Sequence, residues 1–247
     1  MKNRDTWQPS KFIYKHGRLI ASRDPGEVGV GSRLISDLIA EIYSNNLKHH
    51  ANGYLLDLGC GKVPLFHAYR DYISDNLCVD WSSTLHESEH LDIEHDLTKP
   101  LPFKDEVFDT IILSDVLEHL PHPETLFKEM SRVLSREGKI IMNVPFFYRL
   151  HEQPNDYYRY TEFALRRFVE ISGLKLIQID SIGGVPEIMT DLFAKTILRV
   201  PKLGRLLSSF SQYVTAFFIK TRIGKKISDG TKNNFPLGYF LVAQKID

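Results

Sequence analysis

The sequence predicts an α/β protein built on a doubly wound, mostly parallel sheet, with helices on both faces and a helical insertion before the last strand. Three observations carry that prediction. Short apolar runs alternate with helical patterns from Tyr54 to Ile179, the first run halts at Gly59-Cys60-Gly61, and a long stretch of helical periodicity separates the last two runs. Strands joined through helices pair in parallel and are covered on both sides, and ligands then bind at their carboxyl ends.

The elements follow in order. Leu34, Ile35, Leu38, Ile39 and Ile42 form one stripe of a helix within Gly31 to Leu47, with Ser32 near its start as a cap. Strands are predicted at Tyr54 to Leu58, Leu77 to Val79, Thr110 to Leu113 and Lys139 to Val144, with helices at Pro64 to Ile73 and Pro123 to Leu134 and a stop at Gly138. A helix from Thr161 to Ser172 ends at Gly173, and strands follow at Leu174 to Ile179 and Tyr239 to Ala243. Ser181 to Gly238 is far too long for a loop, because ordinary connections run about 4 to 6 residues. Its apolar positions from Ile188 to Phe218 recur at helical spacing, broken at Pro201. The chain thus reads as an N-terminal segment and helix (1–50), an α/β core (51–180), a helical insertion (181–238) and a returning final strand (239–247).

Composition narrows the function. The 247 residues are 43% hydrophobic and 25% charged, enough for one sizeable core. Thirty-one basic residues balance 31 acidic ones, so there is no global electrostatic footprint for nucleic acid, and no such partner is expected. Cys60 and Cys78 lie in apolar runs without disulfide or metal spacing, which fits a reducing compartment. His49-His50 and His86-His90 read as solvated loop or helix-end residues, and no metal centre is expected. Met1 to Ser10 lacks the apolar core of a secretory signal, so a cytoplasmic location is expected, with peripheral contact at the inner membrane face as the alternative. Segment 186–226 is the candidate for that contact, since apolar stripes there are flanked by Lys195, Arg199, Lys202, Arg205, Lys220, Arg222, Lys225 and Lys226; ordinary packing with solvated charges is the competing reading.

Leu55-Leu56-Asp57-Leu58-Gly59-Cys60-Gly61 is the strongest local signal. Its glycines let the backbone turn tightly beside a ligand, and Asp57 can accept bonds from turn amides or a ligand ammonium. Asp80 lies 19 residues beyond Gly61 at the end of the next strand, where a carboxylate can hold both hydroxyls of a ribose. By itself it would be a solvated strand-end acid. Asp96 and Leu97 fall over the same pocket, suited to an adenine amino group and ring face. A dehydrogenase fingerprint would place a third glycine where Pro64 stands, which disfavours hydride transfer.

Together, Asp57-Leu-Gly-Cys-Gly, Asp80, Asp96-Leu, Leu101-Pro102-Phe103, Phe108-Asp109 and Leu117-Glu118-His119-Leu120 resemble the class I S-adenosylmethionine (SAM) dependent methyltransferases, from about Tyr54 to Ile179. The resemblance implies a seven-stranded sheet whose last strand is antiparallel and lies between two parallel ones. It also implies SAM as cofactor, with Gly59 and Gly61 at the methionine moiety, Asp80 at the ribose, Asp96 and Leu97 at adenine, and Ser114 and Asp115 lining the pocket; Asp57, Cys60 and Trp81 complete the expected cofactor-binding set. This chain departs from the family in having Lys62-Val63-Pro64 where a further glycine is usual; Pro64 suits the first turn of a helix.

Residues 144–161 are dense in His, Glu, Asp, Arg and Tyr and resemble a loop of bacterial methyltransferases associated with polysaccharide and other glycan synthesis. A small-molecule or glycan hydroxyl is therefore the expected acceptor. Tyr148, Glu152, Tyr157, Tyr158 and Arg159 are candidates to hold it, with aromatic faces for sugar rings. His151 is the candidate base, oriented by Glu152 or Asp156, and His119 is its competitor. The competing reading pairs Asp156 with Arg159 and makes Thr161 a helix cap. A quinone or lipid methyltransferase and a silent SAM-binding partner protein stay open as other readings. The insertion is a lid, a dimer surface or a membrane platform, and the sequence does not settle the oligomeric state.

Overall fold

The computed structural model describes residues 1–81 and 89–246. The chain divides into two compact units: Met1–Pro9, Asn45–Asp180 and Tyr239–Asp247 in one, Ser10–Ser44 and Ser181–Gly238 in the other.

The first unit is a seven-stranded sheet in the order β5-β4-β3-β6-β7-β9-β8. The strands are β3 (Tyr54–Leu58), β4 (Asp75–Asp80), β5 (Ile93–Glu94), β6 (Phe108–Ser114), β7 (Leu134–Pro145), β8 (Leu174–Ile182) and β9 (Gly238–Lys245). β3 pairs in parallel with β4 and β6, β4 with β5, and β6 with β7. β9 lies between β7 and β8, the place the resemblance implies for the last strand. Sequence alternation shows why both faces are covered. Leu56, Leu58, Ile111, Leu113, Ile140 and Met142 join one buried cluster, while their neighbours Leu55, Ile112 and Ile141 point to the other face and are equally buried. Phe127 and Met130 of α3 (Pro123–Val133), with Leu165 and Phe168 of α4 (Glu162–Ile171), fill the first cluster. Thr161 caps α4 by accepting from the Ala164 amide, as its sequence position predicts.

Two boundaries and one burial differ from the sequence reading, each for a local reason. The helix expected over Pro64 to Ile73 shrinks to α2 (Phe66–Tyr69). Val63 takes a positive φ of 51° and gives its carbonyl to the Trp7 indole, and the Tyr72 amide folds back to Tyr69 O at 3.0 Å. Gly138 does not stop the chain before β7 but lies inside that strand, where an added Cβ would come within 2.8 Å of Ser135 O. His90, expected in solvent, is buried with Nδ1 3.2 Å from Lys2 O; His86 lies outside the described residues.

The second unit holds a β-hairpin that the sequence reading did not identify, β1 (Phe12–Lys15) against β2 (Arg18–Ala21). Its two-residue turn, His16-Gly17, has φ of 50° and 73°, the geometry that matches strand twist. The other elements are α1 (Arg33–His50), whose first residues belong here, α5 (Val185–Ile197), α6 (Gly204–Phe218) and α7 (Arg222–Thr231). The α5–α6 break falls at Pro201 as predicted, whereas α7 carries too few apolar positions to have been read. Gln212 ties the unit internally, accepting from Leu34 N at 2.9 Å and donating to Val30 O at 2.7 Å. α6 leaves Leu206, Phe210 and Phe217 exposed. Among the described residues no helix is long and apolar enough to cross a membrane.

Candidate active site

Adjacent parallel strands in the order β5-β4-β3-β6 bring their carboxyl ends together, and those ends carry the residues singled out in the sequence. β3 delivers Gly59, whose φ is 67° and whose added Cβ would sit 2.4 Å from Val116 Cγ2, so only glycine fits. The Gly59 and Cys60 amides donate to Val79 O, at 2.8 and 3.2 Å, which sets the turn against the end of β4. Asp80 completes it: Oδ2 accepts from Gly61 N and Oδ1 from Trp81 N, each at 2.8 Å. The loop keeps its left-handed bend at Val63 without the family's extra glycine, a strained choice for a β-branched residue. Cys60 is buried, and its thiol is pushed up by the neighbouring Cys78 and by burial.

Asp57 accepts from the Tyr69 hydroxyl at 3.1 Å rather than from a turn amide, and it is almost fully buried. Burial pushes its carboxyl up to about 7; the Tyr69 bond opposes this and the Asp80 charge adds to it. Between the ordinary carboxyl range near about 4 and about 7, folded Asp57 keeps a proton that the unfolded chain has released, so stability falls as pH rises. Asp57→Asn removes this slope. In urea titrations its stability relative to the native chain is expected to climb from about pH 5 to about pH 7, and a constant difference would contradict the assignment.

Asp96 is exposed and caps Thr98 N at 2.9 Å, the bond that holds its carboxyl below the usual range; Leu97 is buried within the core cluster. At the end of β6, Ser114 Oγ donates to Asn143 Oδ1 at 2.7 Å and Asn143 Nδ2 donates to Asp115 Oδ1 at 2.5 Å. Asn143, buried in β7, thus braces both residues expected to line the pocket, a role its apolar surroundings in the sequence concealed.

The aromatic loop is strapped over the turn after β6. Glu118 O accepts from Tyr157 N at 2.9 Å and Tyr158 N at 3.3 Å, Tyr160 donates its hydroxyl to Leu117 O, and Tyr158 donates to Pro121 O, both at 3.0 Å. Arg159 grips Asp156 through two nitrogens at 2.6 and 2.9 Å and also donates to Tyr148 O, Arg149 O and Tyr158 O. Its guanidinium holds Asp156 well below the ordinary carboxylate range. Arg159 therefore shapes the loop, while the Tyr157 and Tyr158 rings stay about half exposed.

Strapping brings His119 and His151 together, ring centroids 4.7 Å apart, with Tyr148 5.1 Å from His151. Both imidazoles face Glu118, whose Oε1 lies 3.7 Å from each Nε2. Of the two partners expected for His151, Asp156 is the one in place, 3.3 Å from Nδ1, whereas Glu152 lies 3.8 Å from His119 Nε2. Glu118 is fully buried, and neither carboxylate oxygen has a hydrogen bond. Burial raises its pKa, the facing His151 imidazole works against that, and the nearby Asp115 charge adds to it. Burial lowers the pKa of His151, but the facing Glu118 carboxylate and the Asp156 charge outweigh it, leaving the imidazole above its ordinary value.

Residues 56–142 match the family model described as a methyltransferase domain. An uncharacterized protein of Methanocaldococcus jannaschii is 27% identical over 196 residues, 74% of this chain and 78% of that one. The demethylmenaquinone methyltransferase of Alkalihalophilus pseudofirmus is 26% identical over 108 residues, 38% of this chain, which spans under half (46%) of that relative. The solved SAM-dependent methyltransferase of Mesorhizobium loti shares the fold, with a TM-score of 0.52 at 15% identity over 86% of this chain and all (100%) of that one. The segment carrying β3 to β7 thus matches a methyltransferase domain, and the enzyme is a SAM-dependent methyltransferase with SAM as its cofactor.

Proposed function

We propose that the protein transfers the SAM methyl group to a hydroxyl of a sugar or glycan intermediate. The observation that carries this reading is the buried, unbonded Glu118 carboxylate facing His119 and His151 beneath an aromatic loop. An alcohol is a poor nucleophile until its proton has somewhere to go, and this cluster supplies that place, next to the strand end that carries Ser114 and Asp115. The hydroxyl oxygen attacks the methyl carbon in line, the O–CH3 bond forms as the S–CH3 bond breaks, S-adenosylhomocysteine leaves, and the proton passes to the cluster. Alignment supplies much of the acceleration, because the sulfonium is already an activated leaving group. Half-exposed Tyr157 and Tyr158 offer faces on which a sugar ring stacks.

Incubation with SAM and a panel of nucleotide-sugars and lipid-linked glycans is expected to yield one acceptor that gains the mass of a methyl group. A second reading, a quinone or lipid acceptor, draws on the likeness to demethylmenaquinone methyltransferase and on the exposed apolar residues of α6. Methylation of a quinone with none of the glycans modified would replace the first reading by the second.

A further inference from the structure

We propose that Glu118, His119 and His151 bind a divalent first-row transition-metal ion, with Asn155 and Asp156 orienting the two imidazoles. One ligand atom from each of the three residues lies within 4.8 Å of the others. Metal bonds of about 2.0–2.2 Å bring neighbouring ligands to roughly 3.5 Å, so the two 3.7 Å separations from Glu118 Oε1 need only small rotations to close on an ion.

The hydrogen bonding specifies which atoms face inward. His119 Nδ1 lies 2.6 Å from Asn155 O, and a carbonyl can only accept, so that nitrogen carries the proton and Nε2 presents a lone pair. His119 Nε2 and both Glu118 oxygens have no hydrogen bond and are buried. Acceptors facing acceptors out of water repel one another unless something positive stands between them. His151 is placed similarly but less tightly, with Nδ1 3.3 Å from Asp156 Oδ2 without a formed hydrogen bond and Nε2 toward Glu118. A carboxylate or carbonyl behind each imidazole is the support that metal-binding histidines use, and here Arg159 fixes the Asp156 carboxylate in turn. Two imidazole nitrogens and one carboxylate oxygen suit zinc, manganese, iron, cobalt or nickel better than calcium or magnesium. Glu152 Oε2, 3.8 Å from His119 Nε2, stands at the open side.

The inference leans on the proposed hydroxyl acceptor only for what the ion does. There, a cation takes the hydroxyl oxygen as a further ligand and makes it a stronger acid, with His119 and His151 acting as ligands. Binding itself is tested without turnover. The full chain, stripped by chelator and dialysed against Zn2+ or Co2+, is expected to retain about one ion per chain by elemental analysis, with visible cobalt absorption bands. Glu118→Gln and His119→Gln are each expected to weaken retention by about a hundredfold, and Asp156→Asn by about tenfold, with calorimetric S-adenosylhomocysteine binding reporting that each variant is folded. Less than about a tenth of an equivalent in the native chain, or unchanged retention in folded Glu118→Gln or His119→Gln, overturns the site. Retention without methylation of any hydroxyl would sink the acceptor reading and leave the ion in place.

Discussion

Replacing Asp80 by asparagine is expected to weaken S-adenosylhomocysteine binding by about a hundredfold. The carboxylate stands at the end of β4, its two oxygens already accepting from Gly61 N and Trp81 N. A carboxylate oxygen can accept more than one hydrogen bond, so holding the turn is compatible with the ribose role that the resemblance implies. Asparagine keeps one acceptor and turns an amine toward either a backbone N–H or a hydroxyl. Losing one charge-assisted bond and opposing another costs about 3 kcal/mol, or two decades in affinity. Calorimetry with SAM and its demethylated product measures the change. Asp96→Asn provides scale: that carboxylate is exposed and is proposed to address a single amino group, so about tenfold is expected. An Asp80→Asn protein that binds within about twofold of the native chain would show that the ribose is held elsewhere.

The strand end where the cofactor is expected was legible because its signals are local. β3 was read to the residue, since a run of leucines buried on both faces stops at a position where φ must be positive and Val116 leaves no room for a Cβ. β7 was read five residues late: Ser135, Arg136 and Glu137 are polar, and Gly138 looks like punctuation although close packing inside the strand is what requires it. The β1–β2 hairpin was hidden because most of its residues are not buried, so alternation leaves no apolar trace. The acceptor end shows a different limit. Glu118 was visible as part of a motif, but its burial depends on Tyr157, Tyr158 and Tyr160 bonding back across the turn, some 40 residues along the chain. No periodicity encodes that closure. The same closure turns His119 and His151, unremarkable by spacing, into neighbours on one carboxylate.

At that carboxylate, His151→Ala is expected to lower turnover by about a hundredfold or more while SAM affinity stays within about twofold. The imidazole lies in the aromatic loop after β7, whereas the residues expected to hold the adenosyl group sit at the ends of β3, β4 and β5 and in the loops beyond them, with only Ser114 and Asp115 at the end of β6 nearer to it, so removing it should leave the adenosyl contacts intact. Whether the nitrogen receives the hydroxyl proton directly or holds a cation that acidifies the hydroxyl, the acceptor oxygen is left protonated in the variant. Its loss falls on the chemical step, so kcat should drop further than KM for the acceptor rises. The loop should survive, because its shape rests on Arg159 gripping Asp156 and on the Tyr158 and Tyr160 hydroxyls rather than on the imidazole. Single-turnover assays under saturating SAM separate the chemical step from product release. If His151→Ala methylates at the native rate, deprotonation is not required at this position, and a more nucleophilic acceptor atom than a hydroxyl oxygen would have to be sought.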